Sequence, residues 1–421
     1  MKLENVIIPA CVRGFASELD LFDVELRNGC VASIRPAHAM LDAGANSIPA
    51  GPSQKPPLGT LLPCFADVHV HIDKTYVAHE VGAAEGDLPR AIALMASHRD
   101  RWTGAELRSR MQRALTESYA MGTRATRTHL DWTLPEAPRA LAVFEHQRDA
   151  WRGRIALQCV SLTPLDVFAD LGASEKITAE VARVHQRCNH AMGEAALLGA
   201  YVYRNEQMVD KLRRVFDLAK QFDLSLDFHV DEGLDYDARG LRAIAELTCR
   251  YQMEGRVTCG HACSLSIQTQ NEVQITLQLC AVAQIHLVAL PSTNLYLQGA
   301  WDRTPIERGI TRLKEAQSLG ISTSIATDNV ADGFFPYGSY DLLETFGLGV
   351  QVGHLSPAEA WLGSITTQPA LAMGLPWGGK IVEGCPADLV LLHARNGFEL
   401  LTAAGRRRGV IRAGKFLKTD E

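Results

Sequence analysis

The 421-residue chain contains no run approaching 18 uncharged apolar residues, few aromatic side chains (7%), no dense cysteine spacing and no excess of basic charge. Each absence excludes a class. Without a long apolar run no membrane-spanning helix is predicted. The opening MKLENVIIPACVRG carries Glu4 and has no apolar core ahead of a small-residue cleavage site, so it does not read as a secretory leader and a cytoplasmic location is expected. A net charge of −6 argues against a nucleic-acid partner. Ten cysteines scattered from Cys11 to Cys385 make no disulfide framework and are expected as reduced, small apolar core residues. CGHAC (259–263) is the one cluster to test as a metal knot, but no second Cys/His pair stands nearby at finger spacing. What remains, 47% hydrophobic and 21% charged residues of mixed sign, is the composition of an ordinary globular protein with a large core.

The chain divides by rhythm. Up to about Leu62, short β-like runs (ENVIIPACV, LDLFDVELRNG, CVASIRP) alternate with turns, and Asn28-Gly29 is a hairpin signal. The far end repeats this in ADLVLLHA (387–394) and GVIRAGKFLK (409–418), with a turn at Ala413-Gly414. Between them, strand-like runs alternate with helical patterns such as RAIALMASHRDRW and NEQMVDKLRRVFDLAKQF, whose apolar positions recur at three and four. Eight strands are predicted: 64–72, 124–131, 154–162, 197–204, 224–232, 256–262, 284–290 and 321–328. Eight β-then-helix units predict an α/β fold, a (β/α)₈ TIM-like barrel, with a small β-sandwich domain built from both termini. The expected division is 1–60 and 376–421 for the small domain and 61–375 for the barrel, with AGPSQKPPLG (50–59) as the linker candidate.

Barrel enzymes gather their active site at the C-terminal ends of the strands. His69 and His71 fall late in the first predicted strand, His229 and Glu232 at the end of the fifth, His261 at the end of the sixth, and Asp328 at the end of the eighth. With a side-chain period of two, His69 and His71 share one face. A lone strand histidine is ordinarily a satisfied core residue, and His79, His98, His146, His185, His190, His286, His354 and His393 are read that way. Several imidazoles and carboxylates buried at one barrel mouth are different: desolvating them costs several kcal/mol unless something pairs with them, and a divalent cation is the usual partner.

HVHID, a later HVDEG, CGHA and ATDN resemble the amidohydrolase superfamily, most closely its cytosine deaminase-like aminohydrolases. RTHLD (127–131), NLYLQG (294–299), RGITRLKE (308–315), FPYG (335–338) and ADLVLL extend the resemblance in the same order. The resemblance implies one divalent metal ion held by His69, His71, His229 and Asp328, with Glu232 and His261 as unligated catalytic partners. Binuclear members carry a carboxylated lysine at the end of strand 4, and LLGAYVYR has none, which favours a single ion. Lys74 is treated as a loop residue near the ligands. Zinc or iron suits such a set, and manganese is tolerated.

The chemistry follows from the donors. A cation that keeps net positive charge makes water a nucleophile near neutral pH. Glu232, three residues beyond His229, is placed to shuttle a proton to a substrate ring nitrogen, His261 to steady charge on the tetrahedral adduct, and Asp328 to take the remaining proton toward the departing amine. The result is replacement of an exocyclic amino group by a carbonyl with release of ammonia. Related cytosine deaminases carry a glutamine at the end of strand 3; here Thr163 and Pro164 stand near that place, Asn329 replaces a second aspartate, and Phe334 replaces a tryptophan. Asn329 offers donor and acceptor to a lactam or amidine edge. Trp132, Phe334, Phe335 and Tyr203 are expected to line a larger flat pocket, and Arg204 to meet a substrate carbonyl or carboxylate or to form a surface ion pair. The expected substrate is a small pyrimidine, triazine or pterin. The alternatives are a cyclic amide or other C–N hydrolase on the same barrel and, further off, a non-catalytic binding protein. A homo-oligomer is left open.

Overall fold

The computed structural model describes residues 1–37, 56–84 and 88–418; most of the linker candidate, 50–55, lies outside the described residues. Four strands come first: β1 (Lys2–Ile7), β2 (Leu21–Arg27), β3 (Cys30–Pro36) and β4 (Gly59–Pro63). Eight follow: β5 (Phe65–Val70), β6 (Thr123–Asp131), β7 (Ala156–Pro164), β8 (Ala195–Val202), β9 (Leu226–Val230), β10 (Val257–His261), β11 (His286–Ala289) and β12 (Ser322–Ile325). The last three are β13 (Leu389–Leu392), β14 (Arg408–Arg412) and β15 (Lys415–Phe416).

Strands β5 to β12 are the eight expected from the sequence, paired parallel in chain order with helices between most of them. The ring closes where Val70 bridges Asp328 and the Asp328 amide donates to the His69 carbonyl at 2.9 Å. These strands are buried nearly throughout, as inner layers of a barrel must be. The helices bury the stripe their periodicity predicts: Met208–Gln221 turns Leu212, Val215, Phe216, Leu218 and Ala219 inward. Helix Gly104–Ala120 begins on a capping box, with Thr103 and Glu106 satisfying each other's exposed amides.

Both termini build one seven-stranded mixed sheet, in the order β15-β14-β13-β4-β1-β2-β3. The boundary expected at 60/61 falls inside β4, which pairs with β1 and β13 in that sheet; the chain passes to the barrel at Cys64, between β4 and β5. Among the described residues no helix is long and apolar enough to cross a membrane.

Candidate active site

The mouth of the barrel collects side chains from distant parts of the chain. His69 Nε2 lies 3.1 Å from His229 Nε2, and His229 Nε2 lies 3.3 Å from His71 Nε2. Asp328 Oδ1 is 3.6 Å from His69 Nε2 and 3.3 Å from His71 Nε2. All four residues are buried. The backbone is bent at two residues of the mouth: His261 and Asp328 hold left-handed φ angles of +70° and +65°, a conformation non-glycine residues adopt at a cost of about 1–3 kcal/mol. The glycine of CGHA has a steric reason: a Cβ on Gly260 would stand 2.9 Å from His69 Cε1, so only glycine lets β10 pass beneath that ring.

Electrostatics keep the clustered imidazoles neutral. Burial, followed by the neighbouring imidazoles, drives His69 and His229 well below the ordinary histidine range. Burial and then Lys74 bring His71 down to about 4. Although burial works against its charge, Asp328 is held below the usual carboxylate range by the imidazoles of His71 and His261. Among the described residues, neither carboxylate oxygen of Asp328 has a hydrogen-bond partner. Neutral imidazoles whose Nε2 atoms face one another and an unpartnered carboxylate are costly as they stand. Nitrogens bound at about 2.0–2.1 Å to a tetrahedral ion sit about 3.3 Å apart, so the observed spacings suit such an ion. Two overlapping groups, His69–His229–His261 and His69–His71–His129, have ligand atoms within 4.8 Å of one another and could hold a metal.

His129 is the residue that sequence reasoning missed. Its ring stacks on His69 at 3.9 Å, its carbonyl lies 3.2 Å from His71 Nδ1, and its Nε2 meets Asp227 Oδ1 at 3.1 Å. When His71 Nδ1–H donates to that carbonyl, Nε2 is left bare for a metal. The signal was available, because His129 falls late in the second predicted strand within RTHLD.

Glu232 and His261 stand beside the cluster. Glu232 is buried, which raises its pKa, and it accepts from the Tyr203 hydroxyl at 3.3 Å. His261 Nδ1 lies 3.0 Å from Asn294 Oδ1 and 3.7 Å from Glu232 Oε1, and its Nε2 is buried without a partner among the described residues. A cavity of about 180 Å³ joins these groups to Lys74, Arg99, Asp131, Asn329 and Phe334. Ile92, Tyr201 and Tyr203 also line a wider cleft of about 1080 Å³. Asn329 donates to Asp332 at 2.7 Å, which fixes its amide and leaves Oδ1 to accept.

Four expected pocket residues are not brought to this cavity, and one of them, Phe335, borders a separate cavity of about 400 Å³. Leu162 lines it, so by strand alternation Thr163 faces the other way, buried with its hydroxyl near the Ser161 carbonyl. Asp131 lines it, so Trp132 turns into the apolar core and borders a separate cavity of about 220 Å³. Arg204 is 61% exposed and paired with Asp235 at 3.0 Å and Asp237 at 3.4 Å, the ion pair weighed against a substrate contact. Lys74, expected as a loop residue near the ligands, lies in the loop after β5 and lines the cavity. The thiols of Cys259 and Cys263 are pushed up by burial and belong to neither group that could hold a metal.

Fold and site together define a class: a (β/α)₈ barrel with a buried histidine cluster at its mouth that could hold a metal. The chain belongs to the amidohydrolase family, whose model matches residues 152–417. It is 36% identical over 423 residues to a pterin deaminase of Rhizobium rhizogenes, covering 99% of this chain and 93% of that one. It is 23% identical to an N-isopropylammelide isopropyl amidohydrolase of Pseudomonas sp., over 85% of this chain and 86% of the other. Its fold is similar to that of 5-methylcytosine deaminase from Klebsiella pneumoniae liganded with phosphonocytosine, with a TM-score of 0.83 and 24% identity over 100% of this chain and 98% of that one.

Proposed function

We propose that this protein is a metal-dependent hydrolytic deaminase that replaces the exocyclic amino group of a pterin-type heterocycle by a carbonyl and releases ammonia. The observation that carries the reading is the convergence of three Nε2 atoms and Asp328 Oδ1 beside a buried Glu232. The 36% identity to a pterin deaminase across nearly the whole chain supports the pterin among the three expected ring classes.

One divalent ion, zinc or iron, with manganese tolerated, would be held by His69, His71, His229 and Asp328. When bound it would supply Lewis-acid activation of water and lower the cost of negative charge on the attacking oxygen. The chain's own groups move the protons. Glu232, whose pKa burial raises, carries a proton to the ring nitrogen beside the amino-bearing carbon. His261 meets the oxygen of the tetrahedral adduct, its ring held by Asn294. Asp328 takes the last proton and passes it to the leaving amine. Asn329 presents its Oδ1 to the amidine edge of the ring, and Phe334 covers a ring face. His129 keeps His71 and His69 in place. The reading includes a cytoplasmic enzyme with a small heterocycle as its partner, and the division 1–60, 61–375 and 376–421 moved to the β4–β5 junction on the N-terminal side.

The test is ammonia release by the metal-loaded protein from pterins, aminopyrimidines and aminotriazines. Pterin is expected to yield ammonia, and Glu232→Gln to lower the rate by about 10²–10⁴-fold with metal content unchanged. Equal ammonia from Glu232→Gln would remove that residue from proton transfer. Ring opening without ammonia would point to a cyclic amide hydrolase.

A further inference from the structure

Three charged side chains in the cavity are used by none of these steps. Lys74 follows β5, Asp131 ends β6, and Arg99 closes the helix Leu88–Arg99; all three line the cavity with Glu232 and His261. Lys74 Nζ lies 2.7 Å from Asp131 Oδ1, and Arg99 Nη1 lies 3.3 Å from Asp131 Oδ2. Arg99 also donates to Thr133 Oγ1 at 3.2 Å, and the Lys74 ammonium sits 5.2 Å from the centre of the Phe334 ring.

Structure alone does not call for this cluster. The Lys74 side chain is 3% exposed, and a buried ion pair replaced by apolar groups of similar volume is often neutral or stabilising. An ammonium in the same cavity as cation-binding histidines is also unfavourable for holding a metal. A substrate would use it. Lys74 follows the first strand of the ring and Asp131 ends the second, whereas Glu232 follows the fifth and His261 ends the sixth. A flat ring held between these sectors meets the proton-moving groups on one edge and an ammonium beside a carboxylate on another. An ammonium donates to a carbonyl oxygen and a carboxylate accepts from N–H.

We propose that Lys74 and Asp131, braced by Arg99, are the specificity-determining pair. Lys74 donates to a lactam carbonyl of the heterocycle and Asp131 accepts the neighbouring ring N–H, so substrates are amino-heterocycles that carry a C(=O)–NH edge. The inference rests on the deaminase reading and deepens it.

The experiment compares pterin with 2-amino-4-methoxypteridine, in which the lactam is locked as an ether without the N–H. Wild-type protein is expected to prefer pterin in kcat/KM by at least about 10²-fold, because a site built to bond an edge rejects the analogue lacking it. In Lys74→Met that preference falls to about tenfold or less, with metal content unchanged. Lys74→Gln, which keeps a donor, retains more of the preference than Lys74→Met and carries the test if the methionine variant does not fold. The same pterin preference in both variants as in wild type overturns the assignment. No ammonia from any ring with the wild-type protein refutes the deaminase reading, a separate failure.

Discussion

At the scale of single residues, one rule both finds and misleads. Strand alternation put His69 and His71 on one face, and their nitrogens do converge. The same rule applied to RTHLD would have found His129 and Asp131, and it explains why Trp132 and Thr163, each one position from a residue lining the cavity, point elsewhere. Arg204 could not be placed from sequence, because its partners Asp235 and Asp237 lie some thirty residues away in a loop whose path no local pattern gives. Gly260 offers a sharp test. Gly260→Ala would press a methyl group against His69, and is expected to cost about 1–3 kcal/mol in urea unfolding. Displacing the ring is further expected to weaken metal binding by about 10–100-fold, read by competition with a chromophoric chelator.

At the scale of elements, all eight barrel strands were legible, since each is a short β-rich run followed by a helix. What holds their lower layers together was not. Arg127 on β6 donates to Asp227 on β9 at 2.8 Å, to Thr258 on β10 at 3.1 Å and to Gln158 on β7 at 2.9 Å. One buried guanidinium thus ties four strands, and Asp227 also receives His129 from the layer above. Such pairings join residues as far as 131 positions apart, so only the closed ring shows them. Asp227→Ala leaves Arg127 buried and unpaired and is expected to lower unfolding free energy by about 3–5 kcal/mol, with the urea m-value unchanged.

At the scale of the whole molecule, closure of the barrel between β5 and β12 is what brings Asp328 beside His69 and His71, because Asp328 stands where the last strand meets the first. The depressed imidazoles give it a pH dependence with a definite sign. At ordinary histidines protons begin to compete with a metal near pH 6.5, whereas a folded site whose His71 titrates at about 4, with His69 and His229 also well below normal, stays unprotonated through that window. Metal affinity is therefore expected to be nearly flat from pH 7.5 to about 5 and to fall as pH approaches 4. Affinity already falling steadily from pH 7 would contradict those shifts.

The most direct test is native mass spectrometry of the metal-free protein titrated with zinc, alongside His229→Ala and Asp328→Ala. The prediction is one tightly held ion per wild-type chain and none retained by either variant. A second tight ion, or an Asp328→Ala chain that keeps its ion as firmly as wild type, would contradict a single centre built from three imidazoles and one carboxylate.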